Sequence, residues 1–563
     1  MIEYDPNNYL NYMDLSNLLQ SISKKMPRYF RLNSIGKSRQ GRDVWAMIVT
    51  DFDTGSDKER PGYWVSGNIH AAELAGGQAA VELIVQIYSG IIENNLKILK
   101  LLSQNSIYVV PRISPDGAEA VLKGENHRSV DVAYPDPEAP GWVARDMDGD
   151  GVIRRLLVED PGGNWRKSKR DPRILLWRKP NENDPEEIYF SQKVEGLRDA
   201  ENIKEPMMKL SSGLDYNRNF PTHWKPEGQQ AGAGPFPLSS PETHAVLKFI
   251  ETKKNIVGAQ DFHTYSGIIL RPGVHQRDED LPPIDLFVLK SLGQVGTDIT
   301  GYPCLSIKED FCYSKKQDVS GGFIDHLYLS LGIYTFSNEI WSVHKASGVE
   351  IPPKGYIPYY FSEFSEEDQL KVFKFLDEHG DEDWFLPWQR FEHPQLGPVE
   401  IGGANMLYSF RNPPRQLLGA EVKKNAEFVL ACIEANPRVE VIYFGFERVG
   451  PDIFLVSIKL KNNGFVSTEG AYTERGARSV PESYVRLKYE ETLKIEHGEA
   501  YQKVPPLAGR SRTAPIANSV FATFSEQPTN IWEGKWTVKG KGSLTLECNY
   551  YKGGVIRKSL KLD

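Results

Sequence analysis

No stretch of this chain approaches the roughly 18 consecutive apolar residues that a membrane-spanning helix needs. Its first residues, MIEYDPNNYLNYMDL, lack both the cationic start and the apolar centre of a signal peptide. As written, the chain therefore reads as cytoplasmic, whereas a leader already removed would make it periplasmic or secreted. Cysteine is scarce. Cys304, Cys312, Cys432 and Cys548 are scattered without metal-ligand spacing and read as small buried hydrophobes of a reducing compartment, not as a disulfide framework. A basic stripe is also missing: 67 Lys and Arg are interspersed with 75 Asp and Glu for a net charge of −8, which argues against nucleic acid as a partner. Neither an internal repeat nor a low-complexity tract interrupts the chain.

What remains is ordinary globular composition, with 40% hydrophobic and 25% charged residues. A length of 563 residues exceeds one hydrophobic core and predicts two to four domains. DLSNLLQSISKKM has helical spacing with Asp14 or Ser16 as its cap, and AAVELIVQIYSGII is a second helical run. Between and after them, VWAMIVTDF, GYWVSGNI and NSIYVVPRI read as strands. Alternation stops at about residue 128 in a stretch rich in Pro, Asp, Gly and Arg, and resumes after about 212 with the strands IVGAQDFH and GIYTFSNE. The expected fold is α/β, a mixed, mostly parallel sheet flanked by helices, spanning 1–437 with a loop-rich insertion at about 128–212. After Pro437 short alternating strands separated by Gly and Asn turns predict a C-terminal all-β sandwich over 438–563.

The chemistry starts at SGNIHAAELAGG, where a strand hands over to a helix and His70 and Glu73 stand three residues apart. One such pair has little specificity. A catalytic zinc site needs three protein ligands and an open position, so a third ligand must come from a neighbouring strand. His263 in GAQDFHTYSG ends an apparent strand, where open α/β sheets place their sites, with Tyr265 just beyond. Asn217 and Arg218 in SGLDYNRNFP offer an amide beside a guanidinium, a fork suited to a carboxylate. Glu339 closes the apolar strand GIYTFSNE, where an isolated carboxylate is costly unless paired or catalytic.

In this order the residues resemble the zinc carboxypeptidases of the carboxypeptidase A type. The matching pieces are His70-x-x-Glu73, the turn ISPDGAE, an arginine about a dozen residues on, Asn217–Arg218, His263, and SGG with Glu339 nineteen residues after Ser320. RYFRLNSIGKSRQGRDVWAMIV also looks like that family's N-terminal signature, and the resemblance extends over about residues 5–437. It implies a zinc ion held by His70, Glu73 and His263, a peptide's free C-terminal carboxylate bound by Asn217 and Arg218, and Glu339 as general base and acid. For the arginine that polarises the carbonyl it points to Arg128, with Arg166 and Arg178 as rivals. Ile324, four residues past Ser320, would floor the pocket and favour a bulky apolar terminal side chain, while neighbouring Asp325 reads either as a selector of a base or as a helix cap. Two positions depart from the pattern: Gln317 stands where a tyrosine is usual, with Tyr313 nearby as a substitute, and Ala72 stands where an arginine is often found.

RDMDGDGVIRR places Asp146, Asp148 and Asp150 like the start of a calcium loop, although Leu157 occupies the position of the bidentate acid, leaving Glu159 or Asp160 to reach. Calcium (Ca2+) is a possible second cofactor on that reading, and a solvated acidic turn is the alternative. Besides a metallocarboxypeptidase, the sequence leaves open an amidohydrolase acting on cell-wall peptides or N-acyl amino acids, and a binding protein with a decayed site. The oligomeric state is not readable from it.

Overall fold

In GYWVSG, Trp64 and Val65 are both apolar neighbours on one strand, so successive side chains must be covered on both faces of a sheet. A computed structural model describes residues 2–125, 142–198, 213–311, 318–351, 364–473, 476–512 and 530–563. In it, Trp64 and Val65 enter two separate apolar clusters on opposite faces of an eight-stranded sheet. The strands lie in the order Phe30–Lys37, Asp43–Val49, Ser106–Val110, Gly62–Gly67, Ile256–Thr264, Tyr334–Ile340, Ile268–Arg271, Cys304–Ser306. The inner run from Ser106–Val110 to Tyr334–Ile340 is parallel, and antiparallel strands flank it, giving a mixed sheet.

The helices Leu74–Ile92 and Arg415–Glu434 cover one face, and Pro241–Glu251 with Phe323–Leu331 cover the other. Leu83, Ile84 and Ile87 of the helix Leu74–Ile92 are fully buried, each contributing about 1.5–3 kcal/mol relative to exposure. That helix is apolar and long enough to cross a membrane by composition, but the sheet beneath it accounts for the apolarity. The opening helix runs Tyr12–Lys25 and is capped by Asn11, not Asp14 or Ser16. The Asn11 side chain accepts from the Asp14 amide, which puts Asp14 inside the first turn.

The stretch expected to be loop-rich proves to be a source of strands. Arg155–Glu159, Trp165–Lys167, Leu175–Trp177 and Phe190–Val194 form a six-stranded antiparallel sheet with Phe385–His393 and Gly397–Ala404. Strands of three to five residues, broken by Pro, Asp and Gly turns, are too short to display a period in sequence. One of their pairings, Arg155–Glu159 with Gly397–Ala404, also spans about 240 residues.

The C-terminal strands form two antiparallel four-stranded sheets enclosing their own apolar cluster around Trp536, Leu487 and Leu546. This sandwich touches the larger sheet domain through the C-terminal end of the helix Phe323–Leu331. Buried Lys552 donates to the carbonyls of Leu331 (3.0 Å) and Gly332 (2.6 Å). The Thr473 hydroxyl donates to Tyr328 and Leu329, and the Ser479 hydroxyl to Leu331. They lie in the last turn, where a helix leaves carbonyls without internal partners, although the Tyr328 carbonyl also accepts from the Gly332 amide.

Candidate metal centre and active site

The turn after strand Gly62–Gly67 is shaped by close approach. A Cβ on Gly67 would lie 2.3 Å from the Gly76 carbonyl oxygen, and one on Gly76 would lie 2.3 Å from that of Phe262. Glycine at both places lets the helix Leu74–Ile92 press against two strands at once. Asn68, with φ of 55°, reverses the chain, and its amide donates to the His70 and Ala71 carbonyls. Asn412 reaches across to hold the same segment through the Ala72 carbonyl and the Ala75 amide. Glu73 precedes the helix yet makes no cap; its carboxylate turns inward.

There it meets two imidazoles. His70 Nδ1 lies 3.0 Å from Glu73 Oε1, His263 Nδ1 lies 3.0 Å from Oε2, and the two Nδ1 atoms are 3.2 Å apart. The outer nitrogens are engaged elsewhere: His70 Nε2 lies 3.2 Å from Asp215 Oδ1 and His263 Nε2 lies 2.8 Å from Asp261 Oδ2. In the neutral imidazoles, donation of each Nε2–H to a carboxylate would leave both Nδ1 lone pairs facing Glu73, the tautomers a metal requires. Asp261 is itself fixed by the Ser66 hydroxyl at 2.6 Å.

Burial pulls the His70 imidazolium down, but Glu73 and Asp215 more than offset it and raise its pKa to about 9. Burial acts the same way on His263, where Asp261 and Glu73 carry its pKa well above the ordinary value. Glu73 and Asp215 move oppositely. Burial favours their neutral forms, yet His70 and, for Asp215, Arg218 hold both carboxyls below the usual range. With those protons displaced, two imidazole nitrogens and a buried carboxylate within 3.2 Å of one another would face one cation, and the His–Glu–His donor set suits zinc.

Glu339 is the register partner of His263 on the adjacent parallel strand. Burial, the larger influence, lifts its carboxyl to about 7 against the pull of His263. His70, His263 and Glu339 open on a pocket shared with Asn217 and Arg218, whose deeper wall is apolar and includes Leu270, Phe311 and Ile324. No acid faces that deeper wall among the described residues, and Asp325 turns away from it, toward His223. Asn217 Oδ1 accepts from the Phe323 amide at 2.8 Å, tying the carboxylate fork to the helix that bears Ile324. Gly321, with φ of 69°, packs so closely that a Cβ would lie 2.2 Å from the Arg218 carbonyl oxygen.

Tyr265 lines a neighbouring cleft with Arg155, Tyr408 and Arg411, near enough to Glu339 for that carboxylate to act on its phenol. Arg166 pairs with Glu182, and Arg178 is absorbed by the Glu182, Pro161 and Gly163 carbonyls, so both belong to the inserted sheet. Arg128, Tyr313 and Gln317 lie outside the described residues. The carboxylates Asp215 and Asp261 were not foreseen. Their only sequence signals are proximity, two residues before Asn217 and two before His263.

The acidic turn behaves as a self-satisfied loop. Asp146 accepts from the Gly149 and Gly151 amides, Asp148 from Asp150, and Asp150 from Val152 while pairing with Arg154. Leu157 is buried in its strand, and Asp160 is turned to Ser191 and Gly162. Calcium finds no support there.

A family profile described as zinc carboxypeptidase matches residues 15–365, and one described as a domain of unknown function (DUF8731) matches 438–561. Zinc carboxypeptidase A 1 of Drosophila melanogaster is 25% identical over 341 residues, covering 56% of this chain and 61% of that protein. The carboxypeptidase N catalytic chain of Homo sapiens is 23% identical over 249 residues, covering 39% and 54%. The chain thus spans little more than half the length of either relative. Among solved structures, the carboxypeptidase A of Helicoverpa armigera aligns with a TM-score of 0.41 at 15% identity, covering 67% of this chain and 73% of that one.

Proposed function

The chain belongs to the zinc carboxypeptidase family, and on that premise we propose that it is a metallocarboxypeptidase that removes single residues from the C-termini of peptides. The observation that carries the reading is the meeting of His70 Nδ1, His263 Nδ1 and the Glu73 carboxylate beside Glu339 and the Asn217–Arg218 fork. These three side chains would hold one zinc ion. Bound there, zinc supplies Lewis acidity for polarising a carbonyl and acidifying water.

The remaining work falls to the protein. Arg218 and the Asn217 amide receive the terminal carboxylate, since a guanidinium fork matches a planar anion. The apolar wall around Leu270, Phe311 and Ile324 receives the terminal side chain and favours a bulky apolar one. Glu339 takes a proton from the attacking water and delivers it to the leaving amine nitrogen, for which a carboxyl raised toward neutrality is suited. From its sequence position, Arg128 steadies the developing oxyanion, a contribution of about 3 kcal/mol in comparable sites. Asp215 and Asp261 orient the two imidazoles.

The test is a panel of peptides ending in Phe, Leu, Lys and Glu, each with a free or amidated C-terminus. Release of free Phe and Leu from the acid forms alone is expected. Equal cleavage of amidated peptides would exclude a carboxypeptidase.

A further inference from the structure

A second group of metal-competent side chains lies behind the pocket wall. His223 follows the Asn217–Arg218 turn, His275 follows the strand Ile268–Arg271, and Asp325 stands in the first turn of the helix Phe323–Leu331. One donor atom from each lies within 4.8 Å of the others. His223 Nδ1 is 3.2 Å from Asp325 Oδ2, and the two imidazole rings are 4.2 Å apart at 72°. In a tetrahedral zinc site, bonds of about 2.0 Å place ligand atoms about 3.3 Å from one another.

Two further observations point to a ligand. Asp325 is only 2% exposed, yet among the described residues its Oδ1 has no hydrogen-bond partner, and neither does the buried Nε2 of His275. An ion pair between His223 and Asp325 explains Oδ2 and leaves both other atoms orphaned, at a cost of about 1–3 kcal/mol each. The other nitrogen of His275, Nδ1, lies 3.3 Å from Asp318 Oδ2, and Asp318 is held in turn by Lys308. That is the carboxylate–imidazole arrangement that turns a free Nε2 lone pair toward a metal. The His223 side chain is 42% exposed, so one side of the cluster opens to solvent for entry and for a water ligand.

We propose that His223, His275 and Asp325 form a second divalent-metal site that takes a zinc-class ion. Two imidazoles and one carboxylate select that class over calcium or magnesium. The site joins the three segments that carry Arg218, Val274 and Ile324, all of which face the pocket beside His70. Its role is to clamp that wall. It is independent of the catalytic reading.

The experiment is metal analysis of the full chain after loading with zinc sulfate and dialysis, with thermal unfolding measured in parallel. The native sequence is expected to retain two equivalents, and His275→Ala and His223→Gln one each. His263→Ala, which disables the other centre, is expected to retain one. The solvent-facing His223→Gln covers the case in which His275→Ala fails to fold. Zinc added to metal-free protein should raise the unfolding temperature in two increments, one of them absent in His223→Gln. A single equivalent unaffected by His223→Gln would overturn the second site, as would a second equivalent that survives both substitutions. Failure of the catalytic centre would look different, with His263→Ala holding as much metal as the native chain.

Discussion

His263 and Glu339 face each other as register partners on adjacent parallel strands. The proposed ligand and the proposed base, seventy-six positions apart in sequence, are thereby fixed by backbone hydrogen bonds, with no loop needed to place them. Conversion of Glu339 to Gln keeps the shape and removes the proton acceptor. Peptide turnover is expected to fall by at least about 10²–10⁴-fold while zinc content stays at the native value. A variant that still turns over at the native rate would remove Glu339 from the mechanism.

Asp261 is buried, lines neither the pocket beside His70 nor the Tyr265 cleft, and contacts the centre through His263 Nε2. Asp261→Asn should weaken zinc binding about 10–100-fold while leaving peptide KM little changed in metal-saturated protein. Chelator competition reads the affinity directly, and an unaltered affinity would reduce Asp261 to a packing role.

A methyl group on Gly76 would meet the backbone of Phe262, which cannot swing aside as a flexible side chain would. Gly76→Ala is therefore expected to cost about 1–3 kcal/mol through overpacking and to separate Glu73 from His263. Denaturant unfolding with parallel zinc titration tests both effects. Native stability in this variant would refute the close approach.

Arg218→Ala should abolish the preference for free over amidated C-termini. Loss of charge-assisted hydrogen bonds worth about 1.5–3 kcal/mol apiece would lower kcat/KM on acid substrates roughly 10²-fold. Retained discrimination would assign the carboxylate to another cation.

His326 and His344 are buried, and burial lowers both to about 4, against weaker upward pulls from Asp325 and Asp368 respectively. Between about 4 and 6.5 the unfolded chain binds protons there that the native state refuses. Stability is thus fully present above about 6.5 and declines as pH falls toward 4, by at most about 3 kcal/mol for each group. Urea midpoints at several pH values, compared with those of a His326→Asn/His344→Gln variant, should show a flatter slope in the variant. Identical slopes would acquit these two imidazoles.

The sheet strands, the His70–Glu73 pair and His263 were readable because each is announced locally, by a continuous apolar run or by a polar residue ending one. Asp215 and Asp261 were not, because an acid near a histidine looks the same whether it orients the ring or faces water. The strands Arg155–Glu159 and Gly397–Ala404 pair across about 240 residues, so neither carries a sign of the other in its own sequence. Tyr265 adjoins His263 closely in sequence but faces the next cleft, since neighbours along a chain leaving a strand need not share a wall.

Lys552, Thr473 and Ser479 finish a helix that begins in the other domain and whose opposite end receives Asn217. The two modules are consequently not separable like beads on a string. Cutting the chain ahead of the sandwich would strip the donors from Tyr328, Leu329, Leu331 and Gly332, and the loosened helix would transmit that loss to Ile324. On the carboxypeptidase reading, the shortened chain should grow indiscriminate about the residue it removes well before it loses affinity for zinc.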